Sequence, residues 1–249
     1  MKSYRFLASV CAVVVGSSAW LSAQSYNYPE GTVFRYSNED FEENVKAEET
    51  YVVGELQKKD GKLLVRMDTL VDTTVAGISL GEMPGLRYVC GDGGIEKVVL
   101  MTGEDIKKPI VSIISATSSQ NGTTVSDEEI DSMFESEGEI SFDLKPDAAA
   151  GIEFPDREIK AKLIFVKYNV SLSDGVYGGH ETVSTPAGEF DCVKVSYRMK
   201  ATCLMNTLVN SYVTEWYSPE LGLVKSECRD KKGREQSVSV LESVQMPSE

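Results

Sequence analysis

HETVSTPAGEFDC (180–192), VKVSYRMKA (193–201) and EWYSPELGLVKSE (215–227) decide the fold of this chain. In the middle stretch Val193, Val195, Tyr197, Met199 and Ala201 alternate with Lys194, Ser196, Arg198 and Lys200. A period of two belongs to a strand with one buried and one wet face, the usual state of an antiparallel sheet. Upstream, Glu181 to Thr185 has the threonines and valine of another strand, and Thr185-Pro186-Ala187-Gly188 joins the two. The proline presets φ at the second turn position and the glycine accepts a positive φ, so the two strands form a hairpin. A second hairpin follows, with Leu208 to Tyr217 as one strand, Ser218 to Gly222 as the loop and Leu223 to Arg229 as the return. Trp216 is placed to anchor a shared core.

Outward from this block, turn signals recur. Lys59-Asp60-Gly61, Gly91-Asp92-Gly93-Gly94 and Lys231-Lys232-Gly233 each separate β-rich segments. The strands predicted before the block are Thr32 to Tyr36, Thr50 to Lys58, Lys62 to Thr73, Leu86 to Cys90, Ile95 to Leu100, Glu139 to Asp143 and Glu158 to Asn169; Glu235 to Ser243 follows it. Ten to twelve strands result, with no alternating helices to build a parallel sheet. Within Glu158 to Asn169, Ala161, Leu163 and Phe165 occupy one parity and Ile164, Val166 and Tyr168 the other, which predicts a strand covered on both faces, in a sandwich or a strongly curved sheet. One short helix is expected where Ser126 caps, Glu129 completes a capping box, and Ile130, Met133 and Phe134 share a face. The Ser/Thr/Asn/Gly-rich stretch before it, Ser115 to Thr124, reads as a loop.

The same blocks carry a resemblance. ETVSTPAGEFDC (181–192) and EWYSPELGLVKSE, with a strand of similar length between them, resemble those of the TapB-like family, secreted β-rich proteins of Gram-negative bacteria with a domain of unknown function. FDLKPDAAAGIEFPD (142–156) is similar to that family's Pro-rich loop before its central strand, and YVCGDGG (88–94) to its short Cys-containing hairpin. The likeness runs from Tyr28 to Val244, close in the C-terminal blocks and loose before them. It implies an exported antiparallel β fold without an established activity, so it transfers no catalytic residues. His180 stands where the family often has Lys or another polar residue, which argues against a catalytic histidine.

Residues 1–23 have the pattern of an export signal: Lys2 and Arg5, an apolar run from Phe6 to Gly16, then small residues with cleavage after Ala19 or Ala23. The run is too short for an anchor, and Val10 before Cys11 does not suit lipidation. The remainder, 24–249, is expected to form a single β-rich domain with no transmembrane segment. With 25 Lys and Arg against 39 Asp and Glu the net charge is −14, and the predicted leader contains none of the acids. No basic stripe is available to neutralise phosphates, so nucleic acid is not an expected partner.

Four motifs invite chemistry. Gly77-Ile78-Ser79-Leu80-Gly81 matches the G-x-S-x-G nucleophile elbow, and the chain's single histidine, His180, lies downstream with acids between. The elbow needs a strand before it and a helix after it, and Met83-Pro84-Gly85 does not begin a helix. Cys90, Cys192, Cys203 and Cys228 allow two disulfides in three connectivities, or none. Cys203 and Cys228 flank the strand from Leu208 to Tyr217, about two strand spacings apart and too far to bond inside a sheet. Glu39, Asp40, Glu42 and Glu43 lack the spacing and turn glycine of a calcium loop. No motif calls for a metal or a cofactor.

These readings combine into an all-β antiparallel fold, a curved sheet or barrel-like sandwich, exported to the periplasm or beyond and acting without catalysis. The expected role is binding of an apolar or amphiphilic, lipid-like ligand on the concave side of the sheet, with Tyr197, Tyr212 and Trp216 lining the interior. The alternatives are an assembly protein that binds another envelope protein through a sheet edge and, remotely, a hydrolase using Ser79 and His180.

Overall fold

The computed structural model describes residues 26–41, 44–75, 78–107, 126–163, 166–203 and 206–248. They form an all-β protein. The strands are β1 (Val33–Asp40), β2 (Val45–Lys59), β3 (Lys62–Val75), β4 (Ile78–Gly91), β5 (Gly94–Thr102), β6 (Phe134–Glu137), β7 (Glu139–Asp143), β8 (Arg157–Leu163), β9 (Val166–Thr185), β10 (Gly188–Cys203), β11 (Asn206–Ser218), β12 (Gly222–Asp230) and β13 (Glu235–Gln245). All thirteen join one antiparallel sheet in the order β6-β8-β9-β10-β11-β12-β13-β1-β2-β3-β4-β5-β7. Nearly every neighbour in sequence is therefore a neighbour in space, as the run of hairpin signals predicts. The predicted leader lies outside the described residues.

The sheet curls into a nearly closed barrel, and its two ends are parts of one chain segment. β6 pairs with β8 (Phe134↔Leu163 to Glu137↔Lys160), whereas β7, one residue further on, pairs with β5 (Glu139↔Thr102 to Asp143↔Lys97). Gly138 makes this change of partner. Its φ is +88°, and a Cβ there would fall against the Glu158 carbonyl. The seam of the barrel is thus a single strand broken at a glycine.

Two expectations are corrected here. Thirteen strands replace ten to twelve, partly because the segment from Glu158 to Asn169 is not one strand covered on both faces. Leu163 pairs with Val166, so β8 turns straight back into β9. Ile159, Ala161 and Leu163 are buried on β8 and Val170 and Leu172 on β9. The change of parity that suggested two covered faces is the change of direction at this hairpin; Ile164 and Phe165 lie outside the described residues. The expected helix is α1 (Asp127–Met133), with its capping box formed by Ser126 and Glu129. The chain leaves it directly into β6, and Met133 and Phe134 pack on Leu163. Residues 103–107 are also helical, and Arg87 holds them to β4 through a bidentate ion pair with Asp105, 2.6 and 2.7 Å.

One end of the barrel is filled by aromatic side chains. Tyr26 packs on Tyr28 and Tyr28 on Phe34, with ring centroids 5.5 and 5.3 Å apart. Phe142 lies among Phe154, Tyr197 and Tyr217. The β11–β12 loop leans across this end: Ile95 donates its backbone N–H to the Pro219 carbonyl at 2.7 Å. The strand bulge beside Tyr217 turns the Leu223 backbone inward. Its N–H bonds the Tyr88 hydroxyl at 3.1 Å, and its carbonyl accepts from the Tyr36 hydroxyl at 2.7 Å. Tyr88 and Tyr36 thereby satisfy two backbone groups that a bulge takes out of the ladder. Gly222, with φ +109°, fits because a Cβ would strike the Tyr88 ring. Segment 144–156 extends the wall alongside β9 through the pairs Phe154–Gly175 and Tyr177–Ile152.

The first and last strands are partners: β1 pairs with β13 from Val33↔Gln245 to Asp40↔Ser237. Residues 26–32 and 246–248 therefore both lie at the filled end, where Gly31 approaches Pro247.

Candidate functional site

The register of β10 against β11 pairs Val193 with Tyr217, Val195 with Glu215, Tyr197 with Val213, Met199 with Ser211 and Ala201 with Val209. Those ten side chains share the inner face, because strand parity gives them no alternative. Their exposure rises along the strands except at Ser211, which is 8% exposed and donates to Gln236 at 2.8 Å. Val193, Tyr217 and Val195 are 0% exposed, Tyr197 4% and Glu215 7%; Met199, Val213 and Ala201 are half-buried; Val209 is 42% exposed. This inner face is sealed at the Tyr217 end; Met199, Ala201 and Val213 pack, partly buried, against the core, and Val209, on the stretch of β11 that extends past the end of β12, is exposed.

The inner face of the next strands changes character at the same level. Ser226 and Cys228 on β12, Ser237 and Ser239 on β13, and Asn38 and Asp40 on β1 point the same way and are half-buried. Apolar β10 and β11 thus face the same mouth as a polar wall. Its floor is a hydrogen-bonded acid: Glu215 accepts from the Tyr197 hydroxyl at 2.7 Å and the Tyr217 hydroxyl at 2.8 Å. Burial pushes the Glu215 carboxyl above the usual carboxylate range, and the donors Tyr197, Tyr217 and Ser226 pull it back in part. The Tyr197 and Tyr217 hydroxyls are driven up by burial and then by Glu215. On the same face Glu49 lies opposite Tyr36 and Tyr51 opposite Phe34; Tyr51 donates to Glu49 at 3.3 Å and packs edge-on against Tyr36.

Of the three aromatics expected inside, only Tyr197 is there. Tyr212 and Trp216 take the other parity, opposite Arg198 and Lys194, and so sit on the outer face. Trp216 is nonetheless 4% exposed, because the Lys194 and Lys225 ammonium groups cover its ring at 4.8 and 4.7 Å and its indole N–H donates to Glu181. It anchors the wall from outside. Tyr212, 44% exposed, meets Arg198. The inner-face groups that sequence reasoning missed are Glu215, Val209, Ser226 and Ser239; the alternation Val209, Ser211, Val213, Glu215, Tyr217 was the signal that could have found them.

The hydrolase pair does not assemble. Ser79 sits opposite Thr74 near the β3–β4 turn, at the open end, within a strand and with no helix after it. His180 lies towards the filled end, opposite Val193, with its Nε2 against the Pro146 carbonyl. No disulfide joins Cys90, Cys192, Cys203 and Cys228, and the Cys228 thiol donates to the Gln236 side-chain oxygen at 3.6 Å. β11 separates Cys203 from Cys228, and burial pushes the Cys90 and Cys192 thiols up to about 12, which suppresses the reactive thiolate. Among the described residues no group of three or more His, Cys, Asp or Glu is arranged to hold a metal, and no helix is long and apolar enough to cross a membrane. An outer-face groove of about 650 Å³ over β6, β8 and β9 carries its own counter-charges, with Lys162 3.8 Å from Glu135 and Lys160 3.1 Å from Glu158.

Residues 140–241 match the model of the DUF3108-like family, a stretch that contains three of the four blocks quoted above. The match does not support the TapB-like name. No curated protein matches the chain. Two crystal structures share the fold. One is a candidate lipoprotein from Parabacteroides distasonis, 22% identical, TM-score 0.58, covering 91% of this chain and 100% of that one. The other is a candidate exported protein with a YmcC-like fold from Bacteroides fragilis, 21% identical, TM-score 0.56, covering 88% and 98%.

Proposed function

We propose that this is an exported, non-catalytic envelope protein that receives an amphiphilic ligand through the open end of its barrel-shaped sheet. The observation that carries the reading is that the inward apolar side chains of β10 and β11 pass from fully buried at Val193 and Tyr217 to half-buried at Met199, Ala201 and Val213. A barrel built only as a scaffold gains nothing from inward apolar side chains left wet at one end, since each forgoes burial worth about 1.5–3 kcal/mol. Export is supported by the leader pattern of residues 1–23 and by the descriptions of the two structural relatives. The ligand's chain lies along Met199, Ala201, Val213 and Val209, its polar end towards Ser226, Ser239 and Asn38, with Tyr197 and Glu215 as the floor.

Native mass spectrometry of the protein purified from a periplasm without detergent tests this reading. The expected result is a mass excess that is lost on denaturation and extracts as an amphiphile, and that is absent from Met199→Asp. A bare chain that also takes up no added amphiphile overturns it.

A second reading has its own observation. β12 reaches only to Asp230, opposite Ser211, so β11 residues 206–210 extend past it with Leu208 61% exposed. This edge suits strand addition by a partner protein. Its test is crosslinking from residue 208 in cells: a specific adduct supports it, and none refutes it.

A further inference from the structure

We infer that the end of the barrel opposite the filled one, where β8 turns into β9 and β10 into β11, docks on a lipid surface that carries anionic head groups. This goes beyond the uptake proposed above and does not depend on what the lumen holds. The two hairpins reverse side by side. Leu163 pairs with Val166 and Cys203 with Asn206, and Cys203 lies opposite Tyr168 on β9. β12 ends opposite Ser211, so the β10–β11 hairpin stands roughly 15 Å beyond it.

No run of the sequence is basic, yet the sheet gathers cations here from three strands. Lys162 and Lys167 face each other directly across β8 and β9, and Lys200 lies opposite Ser171 on the same outer parity. Like charges set directly opposite each other destabilise a sheet. Lys162 has one loose ion pair, with Glu135 at 3.8 Å, and Lys167 and Lys200 have no acid partner among the described residues. Arg198 adds a charge whose partners are neutral: it donates to Asn210 at 2.9 Å and lies over the Tyr212 ring at 5.8 Å. Nearer β6 the balance approaches neutrality, since Lys160 is paired with Glu158 and stands opposite Glu137. Residues 166–173 of β9, 193–203 of β10 and 206–214 of β11 include no acid, in a chain that has 39 of them.

The apolar part of the surface lies nearer the tip. Ala201 pairs with Val209 and Thr202 with Thr207, which leaves Leu208 as the extra residue of a bulge. Leu208 is 61% exposed, Val209 42% and Tyr212 44%. In sequence the two hairpins are closed by Ile164-Phe165 and Leu204-Met205, where tight turns ordinarily take Asn, Asp or Gly; these four lie outside the described residues. Apolar side chains set beyond a collar of lysines suit an interface: the side chains enter the acyl boundary while the ammonium groups reach lipid phosphates. Tyr212, with Arg198 against its ring, has the amphipathic shape that settles at head-group level. An anionic surface also removes the cost of setting Lys162 against Lys167. Glu39 and Asp40, at the same end of β1, make the far side of the rim acidic, so the contact is one-sided.

Vesicle flotation of the purified protein tests this, with phosphatidylcholine alone and with about 30% phosphatidylglycerol added, at about 0.1 M salt. The expected result is binding at least about 10-fold tighter to the anionic vesicles. Lys162→Gln combined with Lys167→Gln weakens that binding by about 10-fold or more, whereas Lys58→Gln combined with Lys59→Gln, the same charge change at the β2–β3 turn, leaves it unchanged. In Leu208→Trp the new indole is quenched by brominated acyl chains. All of these side chains are exposed, so the variants keep the fold. A parent protein that does not float with anionic vesicles overturns the inference. An equal loss in the two lysine pairs does so too, as does an indole that the bromine does not reach. None of these results bears on uptake, which the mass excess reads separately, so the two proposals fail independently.

Discussion

The two ends of the β10–β11 ribbon are built from the same alternation and do opposite things. At the Val193–Tyr217 end the inner side chains are sealed under Phe142, Phe154 and the β11–β12 loop. At the Ala201–Val209 end the same parity runs from half-buried Ala201 to exposed Val209. Periodicity alone decides which way a side chain points. Whether it ends in a core or in a mouth depends on what the rest of the chain places opposite, and here the aromatic residues are concentrated at one end. The stabilising contacts and the proposed binding surface thus occupy different halves of the same strands.

That division can be broken by measurement. The largest effect is expected from Tyr217→Ala, which removes a fully buried ring and the partner of Glu215; chemical denaturation should show a loss of about 3–5 kcal/mol. Asp105→Ala comes next. It strands Arg87, whose side chain is only 17% exposed, and should cost about 1–3 kcal/mol. A loss matching that of Tyr217→Ala would mean the open end is held as firmly as the filled one, and the contrast would fall. Glu215→Gln sharpens the comparison through pH. The folded-state carboxyl is raised, so its favourable contribution is complete below the unfolded-state value and is lost as pH rises through the folded one. Melting temperature measured from pH 4 to 8 should therefore fall with pH more steeply in the parent protein than in Glu215→Gln. The smallest effect belongs to Val209→Ser, within about 0.5 kcal/mol on stability because the site is already wet, while its uptake of amphiphile should drop; a stability loss near that of a core residue would show that the mouth is shut.

Much of this architecture was legible in the chain. Pro186 and Gly188 gave the first hairpin, Pro219 and Gly222 the second, and the alternation from Val193 to Ala201 gave a half-buried strand. Ser126 and Glu129 marked the start of the one predicted helix. The β8–β9 turn was not legible, because a tight reversal between Leu163 and Val166 brings no Gly or Pro and only shifts the apolar parity. The seam was missed for a related reason: Gly138 looks like a strand terminator, and nothing local says that the chain continues into a second partner. The candidate site was read less well than the fold. Tyr212 and Trp216 have the size of core residues, and Glu215 has a charge that belongs outside, so composition favoured the wrong parity. The structure resolves this by covering Trp216 with lysines and neutralising the demand of Glu215 with two tyrosine hydroxyls.

The pairing of β1 with β13 has a practical consequence for where things can be attached. Because the chain enters and leaves the barrel side by side at the filled end, a tag, surface linker or tether joined before Tyr26 or after Pro247 stands the length of the barrel away from Val209. A protein immobilised by either terminus presents its mouth to the solution.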